Sequence, residues 1–184
     1  METGKYYVNY GGDLKKESDP KIGISNIVNK PYGKDVTWAC RIFRKMHYSW
    51  LDWCYSEGFH LDIYRPETRR IFKLSDNANI LVLNGRSGIK KLLDNPDLLK
   101  ENEERIYPFS PYDLFINWDY VIAHYDGLEL IHGDAYNEYH YSAFNSWDVD
   151  SIVVWNQDML LEIEKHLLPR WARRNINRME KRGT

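Results

Sequence analysis

Two acidic residues near the C-terminal end of the chain, Asp148 and Asp150, have a type and spacing that could support catalysis. They are separated by Val149 and lead into the apolar segment SIVVW, a pattern that predicts a strand. Side chains two positions apart on an extended segment face the same side, so both carboxylates are expected in one cleft. There they would stabilise positive charge that develops on a bound substrate. A solvated loop at the entry to a strand is the alternative interpretation of this pair.

Aromatic, basic and glycine residues elsewhere offer contacts for a flat ligand that carries phosphates. Trp38, Trp50 and Trp53 could stack on planar rings, although a tryptophan is more often a core residue. Phosphates favour Arg, Lys or the free backbone N–H groups of a glycine turn. The candidates for phosphate contact are Gly11-Gly12, Lys30 and Lys34.

The six histidines and two cysteines do not form a metal or redox motif. The histidines lack HExxH-like spacing, and Cys40 and Cys54 lack CxxC spacing. We therefore interpret both cysteines as reduced, mostly buried thiols, and we predict no metal site. A hydrolase that uses Asp126, His124 and His132 is a further hypothesis, but no nucleophile motif accompanies these residues.

The size and composition of the chain indicate one soluble domain. A globule of 184 residues removes roughly 70% of its unfolded surface from water, so a substantial core is expected. The formal net charge of −2 gives no global attraction to nucleic acid or to an acidic membrane, although local patches are compatible with it. The apolar runs are too short to span a bilayer, and the N-terminal segment lacks the apolar centre of a signal peptide. We therefore expect a cytoplasmic protein that does not associate with membranes.

Hydrophobic patterning predicts a mixture of strands and helices. Strands are predicted over residues 5–10, 36–43, 69–74, 78–85, 118–124, 128–131 and 150–155. Ser49 predicts the N-cap of a short helix, and residues 88–102 predict a helix broken near Asn95-Pro96. Another helix is predicted to begin within residues 108–117. Residues 13–34, rich in Gly, Pro, Ser and Asn, predict a loop with at most short ordered pieces, long enough to form a wall of a ligand site.

The C-terminal part of the chain predicts a helix followed by a basic tail. The helix is expected to start after Asn156 and to carry Leu160, Leu161, Ile163, Leu167 and Leu168 before Pro169. The tail, residues 170–184, carries six Lys or Arg side chains against the single acid Glu180. A solvated helix that frays is one interpretation of this tail, and an arm that binds phosphate or a partner is the other.

The order of elements from Arg70 onward, together with the segment WDVDS before SIVVWN, resembles the ADP-ribosyltransferases. Residues 30–38 and 49–54 also resemble small NAD-dependent transferases of bacteria and their phages. The resemblance implies an α+β fold over residues 1–184, with a mixed, mostly antiparallel split sheet and flanking short helices. It also implies NAD as the co-substrate, Asp148 and Asp150 as the catalytic carboxylates, and an unidentified protein or nucleic acid as the acceptor of ADP-ribose.

The same resemblance implies a set of positions that contact NAD. The family usually begins with a strand bearing Arg or His, and the corresponding strand here carries Asn9, which offers a donor and an acceptor but no charge. The middle motif of the family, a polar or aromatic residue on a strand, falls near Thr37 and Trp38. The implied NAD-binding residues are Asn9, Tyr10, Gly11, Lys30, Thr37, Trp38 and Trp50.

The absence of Arg and His from the first strand leaves a second hypothesis open. A non-enzymatic inhibitor or adaptor would present the aromatic surface and the basic tail to a protein or nucleic-acid partner, and it would need no such residue. Binding of NAD separates the two hypotheses, because only the transferase requires it.

Overall fold

The computed structural model describes residues 5–11, 19–25, 29–45, 49–59, 64–101, 114–140, 144 and 146–181. It has a mixed α+β fold, in which a curled and mostly antiparallel sheet is accompanied by several short helices. The fold class expected from the sequence is confirmed at this level. Within the described ranges, no helix combines the length and apolar character needed to cross a bilayer.

Seven strands form the main sheet, in the order β11-β5-β1-β4-β10-β9-β6. Its ladders are antiparallel except for the parallel pair β6 and β9. Two further hairpins, β2-β3 and β7-β8, stand apart from it. The strands are β1 Tyr6–Asn9, β2 Gly23–Ser25, β3 Lys30–Tyr32, β4 Thr37–Arg41, β5 Arg70–Leu74, β6 Ile80–Asn84, β7 Leu99–Glu101, β8 Leu114–Ile116, β9 Gly127–Ile131, β10 Ser151–Val154 and β11 Leu160–Glu162.

The helices are short and are fixed by local capping and by the core. Ser49 caps the first of them: its hydroxyl accepts a hydrogen bond from the backbone N–H of Asp52, whose carboxylate accepts one from the backbone N–H of Ser49. Gly58 ends this helix in the left-handed region, with φ of 64°. The helices are α1 Trp50–Glu57, α2 Gly85–Leu93, α3 Trp118–His124, α4 Tyr136–His140 and α5 Arg170–Glu180.

Side-chain alternation on β1 divides the core between the two faces of the sheet. Tyr6, Val8 and Tyr10 pack with Leu51 of α1 and with the buried side of α5. Tyr7 points the other way and packs with Ala39, Ile152 and Val154. A further cluster lies around β6, β9 and β10, where Trp118, Trp147 and Phe144 cover the leucines of the strands.

Strand β4 connects the two halves of the sheet through different parts of its length. Its C-terminal residues pair with β1, as Tyr7↔Arg41 and Val8↔Cys40. Its N-terminal residues, 37–39, pair instead with β10. The ladder between β1 and β4 therefore stops early, and the two strands separate beyond Val8.

Most of the predicted strands are confirmed. The structure has β1, β4, β5, β6, β9 and β10 within two residues of the predicted bounds, and α1 begins directly after the predicted N-cap Ser49. The predicted break at Asn95-Pro96 is also confirmed, because α2 ends at Leu93 and a single 3-10 turn follows over Pro96–Leu98. The helix predicted to continue beyond the break is wrong, because Leu99–Glu101 forms β7. The β2-β3 hairpin is the short ordered piece expected in residues 13–34.

The prediction of a strand over residues 118–124 is wrong, because this segment forms α3. The side chain of Asn117 accepts a hydrogen bond from the backbone N–H of Tyr120 and so caps the helix. Trp118 and Val121 are both fully buried, and their spacing of three residues places them on one helical face.

The prediction of a leucine-bearing helix after Asn156 is also wrong. A 3-10 turn is followed by β11, which pairs with the edge of β5 as Leu160↔Leu74. Leu161 is 48% exposed and Leu167 is 67% exposed, so the leucines of this segment do not share one buried helical face. Another helix was predicted to begin within residues 108–117. Residues 108–113 of that prediction lie outside the described part of the chain, and residues 114–116 form β8 instead of a helix.

The basic C-terminal tail forms a docked helix rather than a solvated one. Ala172, Ile176 and Met179 of α5 belong to the core cluster on β1, and Asn175 donates from its side chain to the carbonyl of Phe43 at 2.5 Å. These buried contacts hold α5 against the sheet. The described part of the tail ends at Lys181.

Candidate functional site

The candidate site is a cleft of about 380 Å³ at the place where β1 and β4 separate. Its volume lies in the usual range for small-molecule sites, roughly 300 to 1,000 Å³. Asn9 marks the separation, because its side-chain amide donates to the carbonyl of Trp38 at 2.7 Å in place of a backbone ladder bond. The cleft is lined by Val8, Asn9, Tyr10, Gly11, Asp19, Lys30, Tyr32, Gly33, Val36, Thr37, Trp38, Ala39, Cys40, Trp50, Tyr64, Arg70, Asp148, Val149 and Ser151.

One wall of the cleft combines a cation, a ring and a carboxylate. The ammonium group of Lys30 lies over the Trp38 ring, 5.5 Å from its centroid, and donates to the carbonyl of Ser146. Burial lowers the pKa of Lys30, and the nearby Asp148 carboxylate opposes this shift. The Trp38 ring is fixed by an indole N–H donated to the carbonyl of Pro31 at 2.9 Å.

The other wall is aromatic and is positioned by α1. Trp50 stacks on Trp53, with centroids 4.6 Å apart and planes 12° apart. Tyr64 meets Trp50 edge-on at 5.6 Å and also lines the cleft. Phe59 extends this aromatic group away from the cleft by stacking on Tyr64. The cleft is therefore lined by aromatic residues on both sides, Trp38 on one wall and Trp50 with Tyr64 on the other.

The floor of the cleft is formed by buried side chains whose polar groups are hydrogen-bonded and stay protonated at neutral pH. The Tyr10 ring lines the cleft, but its hydroxyl turns away to Glu180 of α5 at 3.5 Å, and burial raises its pKa well above the usual range. The sulfur of Cys40 accepts from the backbone N–H of Trp50 at 3.3 Å, and burial raises the pKa of this thiol to about 12. Cys40 is therefore protonated at neutral pH and is a poor candidate for a nucleophile.

The two acidic residues singled out in the sequence occupy different environments. Asp148 is half-buried and lines the cleft. Asp150 is only 4% exposed; its Oδ1 accepts the backbone N–H of His132 at 2.8 Å and lies 2.7 Å from Nδ1 of the same residue. The expectation that both carboxylates face one cleft is therefore wrong. The chain bends at Val149 and β10 starts only at Ser151, so strand alternation does not apply to these residues.

All seven positions implied as NAD contacts lie on this one cleft, and each of them makes at least one hydrogen bond inside the protein. The Thr37 hydroxyl donates to the side chain of Gln157 at 2.9 Å. The backbone N–H of Gly11, a residue with φ of 100°, donates to the Thr68 hydroxyl at 2.9 Å. The seven are Asn9, Tyr10, Gly11, Lys30, Thr37, Trp38 and Trp50.

Sequence reasoning missed one cationic residue of the cleft, Arg70. It is the first residue of β5 and lies directly opposite Asn9 in the β1-β5 ladder. Its guanidinium binds the Glu162 carboxylate through two nitrogens, at 3.0 and 3.3 Å. The neighbouring strand therefore places a guanidinium opposite Asn9, with its charge balanced by the Glu162 carboxylate. The sequence shows a predicted strand that begins with Arg69-Arg70. It does not show that this strand pairs with β1, and that pairing is what brings Arg70 to the cleft.

The three residues of the hydrolase hypothesis do not converge. His124 donates from Nδ1 to the carbonyl of Tyr120 in its own helix, at 2.8 Å. Asp126 accepts from the backbone N–H of Asn79, and His132 is buried against Asp150. In the part of the chain that the structure describes, no three His, Cys, Asp or Glu side chains are grouped in a way that could hold a metal ion.

Comparison of the chain with protein-family models, with curated proteins and with solved structures finds no match.

Proposed function

We propose that this protein is an ADP-ribosyltransferase that binds NAD in the cleft between β1 and β4 and transfers ADP-ribose to a macromolecular acceptor. The observation that supports the proposal is the composition of this cleft. A half-buried carboxylate, Asp148, faces a space that also contains two cations and several ring faces. NAD needs each of these partners, for its ribose, its phosphates and its two planar bases.

In the proposed reaction, the bond between nicotinamide and C1 of the ribose breaks, and its electron pair leaves with nicotinamide. Positive charge then develops on the ribose, and the Asp148 carboxylate stabilises it. The acceptor nucleophile forms the new bond to C1 and loses its proton. Transition-state charge is stabilised best by a preorganised group, and Asp148 lies two residues from Asp150, whose contacts with His132 hold the start of β10.

The cations and rings of the cleft provide the binding contacts. Lys30 and Arg70 lie in the same cleft as Asp148 and are the candidates for the two phosphates. Trp38 on one wall and Trp50 on the other are the candidates for stacking with nicotinamide and adenine. The proposal gives Asp150 a supporting role, in which its contacts with His132 hold the backbone that carries Asp148.

Incubation of the purified protein with a cell lysate and NAD labelled in its adenylate group tests the proposal. We expect label on macromolecules with wild type and a loss of about 100-fold with Asp148→Asn, which keeps the side-chain size but removes the charge. Asp158→Asn is the matched control, because Asp158 is an exposed acid close in sequence and does not line the cleft. Equal labelling by wild type and Asp148→Asn would refute the proposal.

A non-enzymatic inhibitor or adaptor is the second candidate, and one observation favours it. Several polar groups of the cleft already have partners inside the protein, namely the Thr37 hydroxyl, the Gly11 N–H and the Lys30 ammonium. These polar groups therefore need no bound ligand to complete their hydrogen bonding. Calorimetric titration separates the candidates, because an adaptor of this type would give no heat with NAD.

A further inference from the structure

The exposed face of α5 carries a concentration of positive charge. The cations recur at a spacing of three or four residues and are all exposed, so they lie along one face of the helix. Glu180 is the acid of this helix, and it is turned inward to bind Arg69 and Lys165. Within the described ranges, the four arginines on this face form no ion pair. The cations are Arg170, Arg173, Arg174, Arg178 and Lys181.

Basic charge continues from α5 onto the loop after β4. Asn175 donates to the carbonyls of Phe43 and Arg44, at 2.5 and 3.1 Å, and so holds this loop against the helix. The Arg44 guanidinium lies over the Trp171 ring, 5.2 Å from its centroid, and Lys45 beside it is exposed. The result is a basic surface on a protein whose net charge is −2, which favours a polyanionic partner at this face.

The buried side of α5 argues against a membrane as that partner. A basic helix that binds lipid inserts apolar residues beside its cations. The apolar residues of α5, Ala172, Ile176 and Met179, are instead buried in the core. The exposed face of α5 presents cations and Asn177 alone, which suits phosphates but provides no anchor in a bilayer.

Helix α1, which carries the aromatic group, packs against the buried side of α5. Leu51 and Tyr55 of α1 share a core cluster with Ile176 of α5. The other side of α1 carries the stacked pair Trp50 and Trp53, which leads to the cleft. Cations followed by ring faces are the combination that binds single strands, because the cations contact the backbone and the rings stack on unpaired bases.

We propose that the basic face of α5 and the rings of α1 form a binding surface for single-stranded nucleic acid. The inference does not depend on NAD chemistry. If the proposed transferase function also holds, a strand bound here would run toward the cleft, and nucleic acid would be the acceptor class; that extension rests on the proposed function.

Fluorescence anisotropy of a labelled 20-nucleotide oligothymidylate, titrated with the full chain without NAD, tests the surface. We expect binding that weakens as salt rises. Arg173→Gln/Arg174→Gln should bind about tenfold more weakly, and the slope of log K against log salt should become shallower by about 1.4, since each phosphate contact to a single strand contributes about 0.7. The matched control is Lys90→Gln/Lys91→Gln on α2, which removes two exposed cations from another helix and should bind like wild type.

The aromatic part of the surface has its own readout. Stacking of thymine on Trp53 should quench tryptophan fluorescence, and Trp53→Phe should retain most of the affinity while Trp53→Ser loses about tenfold. Equal affinities of the α5 and α2 variants would overturn the inference. So would equally tight binding of poly-glutamate or of phosphatidylglycerol vesicles, which would indicate an acidic protein or a membrane instead. Because these titrations contain no NAD, their failure is distinguishable from failure of the transferase proposal.

Discussion

The His132 ring and the Asp150 carboxylate form a buried pair, with Nδ1 and Oδ1 2.7 Å apart and both residues at most 4% exposed. The same oxygen also accepts the backbone N–H of His132. This pair links the end of β9 to the start of β10. The pair lies two residues from Asp148, which lines the cleft, so the two acids of the WDVDS segment occupy different environments.

The different environments of the two acids predict unequal effects of two alanine substitutions on stability. Asp150→Ala should lower the free energy of unfolding by about 2 to 4 kcal/mol, because it leaves buried donors of His132 without their acceptor. Asp148→Ala, at a half-buried position, should change it by less than about 1 kcal/mol. Urea unfolding of both variants provides the measurement. Equal stability losses would contradict the division between a positioning acid and a cleft acid.

Docking of α5 predicts that two asparagines of this helix differ in their effects. Asn175 is buried and binds two carbonyls of the loop after β4, so Asn175→Ala should cost about 1 to 3 kcal/mol. Asn177 is exposed on the same helix, and Asn177→Ala should be neutral or slightly stabilising, since alanine is the better helix former. Thermal unfolding measures both. A neutral Asn175→Ala would indicate that α5 is not held against the sheet.

The position of Lys30 predicts that NAD binding weakens at alkaline pH. Burial lowers the pKa of Lys30 below its ordinary value of 10.5, so the ammonium loses its proton earlier than that of a solvated lysine. Its attraction for phosphates should therefore fall as pH rises toward 10.5. Titration of NAD between about pH 7 and pH 10 should show this decline. Lys30→Gln should bind more weakly at neutral pH and lose most of the pH dependence; an unchanged decline in this variant would exclude Lys30.

The buried thiol of Cys40 predicts a loss of stability at high pH. Its pKa is raised from 9.0 to about 12 in the folded protein, so the folded chain retains a proton that the unfolded chain releases. The resulting stabilisation is complete below pH 9.0 and is lost as pH rises toward 12, at up to about 1.4 kcal/mol per pH unit. The difference in unfolding free energy between wild type and Cys40→Ala should therefore shrink as pH rises. A difference in unfolding free energy that stays constant with pH would show that burial does not raise the pKa of this thiol.

Local patterns predicted the strands well because each was bounded by a clear signal. The apolar run of β10 and the turn after β1 mark their strands, and Ser49 marks the start of α1. Helix α3 was mistaken for a strand because WDYVIAHY is rich in residues that favour strands, and the side-chain cap by Asn117 outweighs that preference. The leucines of residues 160–168 suggested a helix, yet β11 forms because the edge of β5 offers it a ladder.

The candidate site was predictable in composition but not in geometry. Residues as far apart as Asn9 and Asp148 were grouped from the sequence, and both line the cleft. The bend at Val149, which turns Asp150 inward, depends on a partner from β9 that no local pattern reveals. Arg70 was missed for a similar reason, because its place beside Asn9 is set by long-range strand pairing.

Calorimetric titration of NAD into wild type, Asp148→Asn and Asp158→Asn tests the central claim most directly, namely that the cleft holds NAD with Asp148 at the ribose. We predict micromolar binding to wild type and to Asp158→Asn, and affinity lower by about tenfold or more for Asp148→Asn, because a charged hydrogen bond to the ribose is lost. The absence of heat with wild type, or equal affinities of all three proteins, would contradict the claim.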